Sequence, residues 1–173
     1  MDLKKHIRDI PDFPIKGILF HDVTTLFKNR EAMRYAIDKF TDRFKSTKVD
    51  YVVGIEARGF IIGGILADKL DCGFIPVRKP GKLPAETISE EYELEYGSNK
   101  VEIHRDAIKA GDRVIVIDDL VATGGTLLAG IRLVEKSGGK VAAVASIIDM
   151  PDLGGREKLK DYAYFYLVEY TGH

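Results

Sequence analysis

Two adjacent carboxylates, Asp118 and Asp119, follow a run of four β-branched apolar residues at positions 114–117, and two threonines and two glycines stand at positions 123–126. Consecutive glycines before a helix can aim several backbone N–H groups at a phosphate, and the threonines can add hydroxyl donors. Carboxylates only accept hydrogen bonds, which suits two neighbouring sugar hydroxyls. The pattern therefore predicts a site for a phosphate monoester beside a sugar diol.

A purely structural alternative is a tight strand-to-helix turn in which Asp119 or Thr126 is the N-cap. Two acidic side chains placed beside an anion would repel it. A turn with only a structural role therefore has little reason to combine two acids with two glycines, and the whole pattern favours the binding site. Other phosphate and nucleophile motifs are absent. Gly81-Lys82 and Gly139-Lys140 are not followed by Ser or Thr, no two glycines are separated by one residue, and there is no G-x-S-x-G.

The elements around this segment alternate between strands and helices. Strands are predicted over 51–55, 73–77, 113–117, 141–148 and 163–168, and helices over 29–46, 58–70, 127–136 and 154–160, with Asn29 as an N-cap and Gly63-Gly64 allowing close approach of another backbone. Such alternation predicts an α/β protein with a central, mainly parallel sheet flanked by helices, which binds ligands at the carboxyl ends of its strands. With 173 residues, 45% of them hydrophobic, a single domain over 1–173 is expected.

Residues 78–97 differ in composition from the rest of the chain. They begin with a Pro- and Gly-punctuated basic segment, and in positions 91–96 glutamates alternate with apolar residues as in a half-exposed strand. A turn over 97–99 would return the chain as a hairpin partner at 101–104. Because few apolar side chains are available to offset the cost of ordering the backbone, we predict a mobile hairpin lid.

Composition excludes several classes of protein. Lys plus Arg total 26 and Asp plus Glu total 27, so no global positive field favours nucleic acid. One cysteine, Cys72, excludes an intrachain disulfide and multi-cysteine zinc sites, and the four histidines lack metal-ligand spacing. The charged N-terminus and the absence of a long apolar run predict a cytoplasmic protein that binds neither membrane nor nucleic acid.

Residues 114–126 resemble the phosphoribosyl-pyrophosphate-binding motif of the type I phosphoribosyltransferases. Further segments at 13–24, 56–60, 78–84 and 94–97 resemble the adenine phosphoribosyltransferases of that family, in the same order and over nearly the whole chain. Several base specificities share the core motif, whereas the segments 13–24 and 94–97 together are much more specific. The resemblance implies the type I phosphoribosyltransferase fold with a small N-terminal hood (about 1–28) and a lid (about 78–97).

The resemblance also implies an activity, namely transfer of 5-phosphoribose from phosphoribosyl pyrophosphate to N9 of adenine, which gives AMP and pyrophosphate. Mg²⁺ would be bound mainly through the substrate, with no protein ligand assigned, and the partners would be these small molecules and a second copy in a homodimer. Two alternatives stay open. One is a phosphoribosyltransferase for xanthine, hypoxanthine-guanine or orotate, and the other is a non-catalytic regulator that senses phosphoribosyl pyrophosphate.

By the same resemblance, individual residues receive roles. The 5′-phosphate would bind to Ala122, Thr123, Gly124, Gly125 and Thr126, the ribose hydroxyls to Asp118 and Asp119, pyrophosphate to Arg58, Arg78, Lys79 and Lys82, and adenine to Leu19, Phe20 and His21. Glu95 would be the acid/base residue, catalytic together with Asp118, Asp119 and Arg58, and Tyr96 would close the site. Some family members carry Arg in place of His21, which a contact through the main chain tolerates.

Overall fold

The structure is a computed structural model that describes residues 1–93 and 97–172. Its strands are β1 Arg8–Pro11, β2 Leu19–Asp22, β3 Tyr51–Ile55, β4 Gly73–Val77, β5 Thr87–Glu93, β6 Ser98–His104, β7 Arg113–Val121, β8 Lys140–Asp149 and β9 Tyr164–Glu169. Its α-helices are α1 Thr24–Lys28, α2 Arg30–Phe44, α3 Arg58–Lys69, α4 Gly125–Lys136 and α5 Gly155–Lys158, and short 3₁₀ turns span Leu3–His6 and Pro151–Leu153. None of the helices in the described ranges is long and apolar enough to cross a bilayer.

Five strands form a parallel sheet in the order β4-β3-β7-β8-β9, which confirms the predicted central sheet. β7 is the central strand, and the four β-branched residues at positions 114–117 are completely buried. Ile115 and Ile117 pack in the core that includes α2 and α3, whereas Val114 and Val116 pack in the core that includes α4. A strand covered on both faces requires an unbroken apolar run, which is the pattern that the sequence shows.

The predicted helices are present with small shifts at their ends. α2 begins after Asn29, whose side-chain oxygen accepts hydrogen bonds from the N–H groups of Glu31 (3.1 Å) and Ala32 (2.9 Å), so the predicted N-cap is confirmed. α4 begins at Gly125, two residues earlier than predicted. Its N-cap is Gly124, in the left-handed conformation with φ +75°, without a capping side-chain bond. The alternative N-caps, Asp119 and Thr126, are therefore wrong.

β7 continues four residues beyond the predicted end at Ile117. Its backbone stays in register with β8 as far as Val121, which pairs with Asp149. The parallel neighbour therefore holds Asp118 and Asp119 within the strand, although acidic side chains disfavour strands.

Two other local predictions need correction. Ser98 and Asn99, predicted to lie in a turn, are the first residues of β6, which pairs with β5 from Ser98 opposite Glu93 to His104 opposite Thr87. Gly64 faces open space, and a Cβ on Gly63 would meet side chains rather than another backbone. The close approach of α3 to the sheet occurs instead at Gly59, where a Cβ would lie 3.1 Å from the carbonyl oxygen of Ile117.

The first 28 residues, the predicted hood, contain an antiparallel hairpin of β1 and β2 followed by α1. The guanidinium of Arg8 donates to Asp22 Oδ2 at 2.6 Å across the two strands. Leu3, Val23 and Leu26 are buried in the core that α2 and α3 form with the sheet. The hood is therefore anchored to the main sheet through apolar contacts, which fixes where β2 presents its residues.

Candidate active site

A cavity of about 460 Å³ opens at the carboxyl edge of the sheet. Asp118 and Asp119 line it together with Arg58 from the start of α3, Lys79 from the segment after β4, and Thr126 from the first turn of α4. These segments meet because β3 and β7 are parallel neighbours, paired as far as Gly54 and Ile117, so the residues that follow both strands emerge at one edge. The structure thus brings together predicted residues from three separate parts of the sequence, at 58, 79 and 118–126.

The two carboxylates differ in their surroundings. Asp119 Oδ2 accepts a hydrogen bond from Arg58 Nε at 2.5 Å, and the side chains of Asp119 and Arg58 are 8% and 44% exposed. Asp118 Oδ1 accepts the backbone N–H of Asp119 at 2.8 Å. Burial, and then the negative charge of Asp119, raise the pKa of the Asp118 carboxyl well above its ordinary value. Asp119 is therefore the carboxylate that is paired with a cation, whereas Asp118 accepts the backbone N–H of Asp119.

The loop between β7 and α4 has the geometry of a phosphate cradle. Gly124 adopts φ +75°, a conformation that glycine reaches without strain, and the 12-residue helix α4 starts at the next residue. The first N–H groups of a helix have no intrahelical acceptor and lie at the positive end of its dipole. Ala122 to Thr126 therefore form a loop that can donate backbone hydrogen bonds to an anion. Of these five residues Thr126 lines the cavity, and phosphate binding by the loop stays a prediction.

The basic segment after β4 is held more tightly than its composition suggests. Arg78 exchanges backbone hydrogen bonds with Glu102 of β6 (3.0 and 2.7 Å), and its Nε donates to Glu56 Oε2 at 2.6 Å. Its Nη1 also donates to the carbonyl of Lys82 at 3.3 Å. Of the three predicted pyrophosphate ligands in this segment, Lys79 lines the cavity, while Arg78 and Lys82 lie outside its lining.

The three predicted adenine contacts lie on β2. The ring of Phe20 stands 5.7 Å from the Arg58 guanidinium carbon and packs edge-on against Phe13 at 5.1 Å, so the hood reaches the same cation as Asp119. The His21 imidazole is buried, with Nδ1 2.6 Å from Asp9 Oδ1, and its ring stacks on Tyr170 at 3.7 Å. These contacts direct the imidazole into the protein, which agrees with a role for the main chain of Leu19 to His21.

Glu95 and Tyr96 lie outside the described residues. The preceding strand β5 packs against α4, where Glu90 pairs with Arg132 (3.6 Å) and with Lys136. A Cβ on Gly125 would lie 3.3 Å from the carbonyl oxygen of Glu93, so the hairpin reaches the first turn of α4. The mobility of the predicted lid, residues 78–97, stays a prediction.

Comparison with known proteins gives a consistent result. Residues 22–170 match the family model for the phosphoribosyl transferase domain. The chain is 58% identical over 169 residues to the adenine phosphoribosyltransferase of Halothermothrix orenii, covering 98% of this chain and 99% of the relative, and 55% identical to that of Brachyspira hyodysenteriae, covering 98% and 100%. The crystal structure of adenine phosphoribosyltransferase from Thermoanaerobacter pseudethanolicus superposes with a TM-score of 0.94 at 48% identity over 98% of both chains. The chain belongs to the phosphoribosyltransferase family.

A second solved structure shows what this phosphoribosyltransferase fold accommodates. The Saccharomyces cerevisiae adenine phosphoribosyltransferase, 41% identical with a TM-score of 0.90 over 96% of this chain and 97% of that one, was crystallised with adenine and an imino-altritol bisphosphate. The parallel five-stranded sheet with flanking helices is thus the type I phosphoribosyltransferase fold, as predicted.

Sequence reasoning assigned no role to several residues that border the site. Glu56 accepts a hydrogen bond from Arg78 and lines the cavity. Tyr92 of β5 and Asn99 of β6 also line the cavity. Glu56 belongs to the segment 56–60 that carries the family resemblance, so a signal for it existed. The positions of Tyr92 and Asn99 depend on how the hairpin packs on α4, which no local pattern encodes.

Proposed function

We propose that this protein transfers the 5-phosphoribosyl group from phosphoribosyl pyrophosphate to adenine, forming AMP and releasing pyrophosphate. The observation that carries the proposal is the meeting of the Asp118-Asp119 pair, Thr126 from the first turn of α4 and two cations, Arg58 and Lys79, around one cavity. This set suits a molecule that carries a phosphate, a diol and a second anionic group. The similarity to two adenine phosphoribosyltransferases supports adenine as the acceptor.

In the proposed reaction the bond from ribose C1 to the pyrophosphate oxygen breaks, and N9 of adenine bonds to C1. Positive charge develops on the ribose ring while negative charge grows on the leaving pyrophosphate. Arg58 and Lys79 stabilise the leaving group, with Arg78 and Lys82 as further proposed contacts. Asp119 accepts a hydrogen bond from a ribose hydroxyl, and this interaction strengthens as the ring becomes cationic. Glu95 takes the proton that the five-membered ring of adenine loses, and Tyr96 closes the site.

Mg²⁺ is the proposed cofactor, and when bound it neutralises charge on the pyrophosphate oxygens. In the described part of the chain no group of three or more His, Cys, Asp or Glu side chains is placed to hold a metal ion. One oxygen of Asp119 already accepts from Arg58. These donors fit an ion that arrives on substrate oxygens better than one held by the protein, and Mg²⁺ commonly binds in this way. The role of the protein is then to present Arg58 and Lys79 beside it.

Selectivity for adenine is assigned to the main chain of residues 19–21. Adenine carries an amine where hypoxanthine carries a carbonyl, so a backbone carbonyl at that position accepts from one base and repels the other. Because the His21 side chain contacts Asp9 and Tyr170, the backbone of β2 is held in place for this discrimination.

The assembly that we propose is a homodimer in the cytoplasm. An apolar stripe on the outer face of α3 supports self-association, since Ile61 and Ile65, one turn apart, are 45% and 36% exposed. Light scattering after size exclusion tests the dimer, and a monomer at micromolar concentration would contradict it.

The activity is tested by incubating purified protein with phosphoribosyl pyrophosphate, Mg²⁺ and one base at a time: adenine, hypoxanthine, guanine, xanthine or orotate. We expect AMP from adenine and at least ~10⁴-fold lower kcat/KM for hypoxanthine, the discrimination that a mismatched buried polar group allows. Comparable turnover of another base would favour the alternative specificity. Tight binding of phosphoribosyl pyrophosphate without turnover of any base would favour the regulator.

A further inference from the structure

The loop proposed to bind the 5′-phosphate is hydrogen-bonded to residues 150–155, which lie outside the cavity lining. The N–H of Met150 donates to the carbonyl of Val121 at 2.9 Å, and the N–H of Gly155 donates to the carbonyl of Ala122 at 3.0 Å. Both acceptors lie at the end of β7, where the loop begins. The position of the loop therefore depends on a segment that contributes no residue to the cavity lining.

The contact between these two segments is backbone against backbone. A Cβ on Gly155 would lie 2.4 Å from the oxygen of Ala122 and 2.8 Å from the nitrogen of Gly124, and a Cβ on Gly124 would lie 2.8 Å from the Cα of Gly155. The side chain of Val121 also borders this contact, with Cγ1 at 2.7 Å from a Cβ on Gly155, and the remaining neighbours are backbone atoms that cannot rotate away. A shift of Gly155 is therefore transmitted directly to the loop.

An ion pair anchors the residue that follows Gly155. The guanidinium of Arg156 donates to Asp149 Oδ2 through Nε at 2.9 Å and also through Nη2, and Nη2 donates to Glu169 as well. The Asp149 side chain is fully buried at the end of β8, whereas that of Arg156 is 41% exposed. A buried carboxylate of this kind is stable only when it is paired and hydrogen-bonded.

The same carboxylate is linked to the sheet by the C-terminal aromatic residues. The hydroxyl of Tyr164 donates to Asp149 Oδ1 at 3.0 Å and lies 2.7 Å from the hydroxyl of Ser146. The Tyr166 hydroxyl donates to Glu169 at 3.1 Å, and the Arg156 guanidinium carbon lies 4.8 Å from the Tyr166 ring centroid. Asp149 is thus fixed by strands β8 and β9, and Arg156 is fixed by Asp149.

We infer that Arg156 is a positioning residue for the 5′-phosphate site. Through its ion pair with Asp149 it presses Gly155 against Ala122 and Gly124, and this holds the phosphate loop in the conformation that binds substrate. The inference rests on the proposed function in one respect, that the loop over Ala122 to Thr126 receives the 5′-phosphate.

The test compares Arg156→Gln with Lys160→Gln. Lys160, four residues after Arg156, donates to Glu157 at 2.6 Å on the exposed surface and serves as the matched control. For Arg156→Gln we expect the KM for phosphoribosyl pyrophosphate to rise ~10- to 100-fold, since a misplacement of about 1 Å can cost ~100-fold. The KM for adenine at saturating phosphoribosyl pyrophosphate should stay within about twofold of the native value, because the hood is not displaced. Arg156→Lys, which restores one charged donor, should recover part of the loss.

A second variant displaces the loop and leaves the ion pair intact. Gly155→Ala places a methyl group against Ala122 and should also raise the KM for phosphoribosyl pyrophosphate, whereas Gly64→Ala, whose Cβ meets nothing within 4 Å, should not. Calorimetric titration with phosphoribosyl pyrophosphate and Mg²⁺ gives the same comparison as a Kd without turnover. If Arg156→Gln does not fold, Gly155→Ala and Arg156→Lys decide the question.

Normal affinity for phosphoribosyl pyrophosphate in Arg156→Gln, with only a lower Tm, would overturn the inference and leave Arg156 a merely structural residue. Native affinity in Gly155→Ala would equally overturn it. Failure of the proposed function would give a different result, in which the native protein binds phosphoribosyl pyrophosphate but converts no base. The calorimetric comparison of the variants would then still decide the role of Arg156.

Discussion

Replacement of Asp119 by asparagine removes one negative charge from the site with almost no change in volume. In the native protein Asp119 Oδ2 accepts from Arg58 Nε at 2.5 Å, and the carboxylate is only 8% exposed. The asparagine oxygen can still accept a hydrogen bond from Arg58. What is lost is the anionic acceptor that we propose for a ribose hydroxyl.

The magnitude follows from the kind of hydrogen bond that is lost. A hydrogen bond to a charged group contributes about 1.5–3 kcal/mol, and each 1.36 kcal/mol corresponds to a tenfold change in rate. Because the positive charge on ribose develops mainly in the transition state, the loss should lower kcat by ~10- to 150-fold and leave KM nearly unchanged. Stability should change little, since the Arg58 side chain keeps a hydrogen-bond acceptor and, at 44% exposed, is also solvated.

The assay is a single-turnover measurement of AMP formation with enzyme in excess, which separates the chemical step from product release. Asp42→Asn is the matched control, because Asp42 lies on the exposed face of α2 in a pair with Lys45, far along the chain from the site, and should keep the native rate. An Asp119→Asn rate equal to the native one would remove Asp119 from the catalytic site. A large rise in KM at unchanged rate would show instead that the residue contributes to ground-state binding.

Three further predictions concern stability, mobility and selectivity. The raised pKa of buried Asp118 means that the folded state keeps its proton to higher pH than the unfolded state, so native stability should fall as pH rises from about 4 through the raised value; in Asp118→Asn, thermal melts should lose this slope and show a higher Tm at pH 7. Limited trypsin digestion should cut after Lys82 but not readily after Lys79, which precedes Pro80, and phosphoribosyl pyrophosphate with Mg²⁺ should slow the cut; equal rates would argue against a lid. His21→Ala should raise the KM for adenine by loosening the hood from Tyr170 and should keep the preference over hypoxanthine, whereas lost preference would assign specificity to the imidazole.

The parts of the fold that the sequence predicts are those in which local pattern and burial agree. Residues 114–117 form a strand covered on both faces, and their unbroken apolar run admits little else. Asn29 caps α2 because its side chain reaches the first free N–H groups, a purely local interaction. The residue types of the glycine-rich turn before α4 also indicate a phosphate cradle, although its position depends in addition on hydrogen bonds from the distant Met150 and Gly155.

The parts that it does not predict depend on contacts between distant segments. Asp118 and Asp119 look like residues that end a strand, yet pairing with β8 carries β7 on to Val121. The hairpin of the hood has no clear alternation, and it is held by Leu3, Val23 and Leu26 in a distant core. Hydrogen bonds to a neighbouring strand and apolar burial outweigh local preference in both cases.

Three glycines explain how so many backbones meet at the carboxyl edge of the sheet. A Cβ on Gly59 would lie 3.0 Å from Asp118 Oδ1, and Cβ atoms on Gly124 and Gly155 would meet each other's backbone at 2.8 Å. The obstacles are mainly backbone atoms and a buried carboxylate, which cannot move without moving the site, together with the Val121 side chain at Gly155. At Gly63 and Gly130 a Cβ would instead meet the side chains of Phe74 and Ile55, which can shift at a cost in packing alone. Added methyl groups at the first three positions therefore act on substrate binding, whereas those at the other two act on the stability of the core.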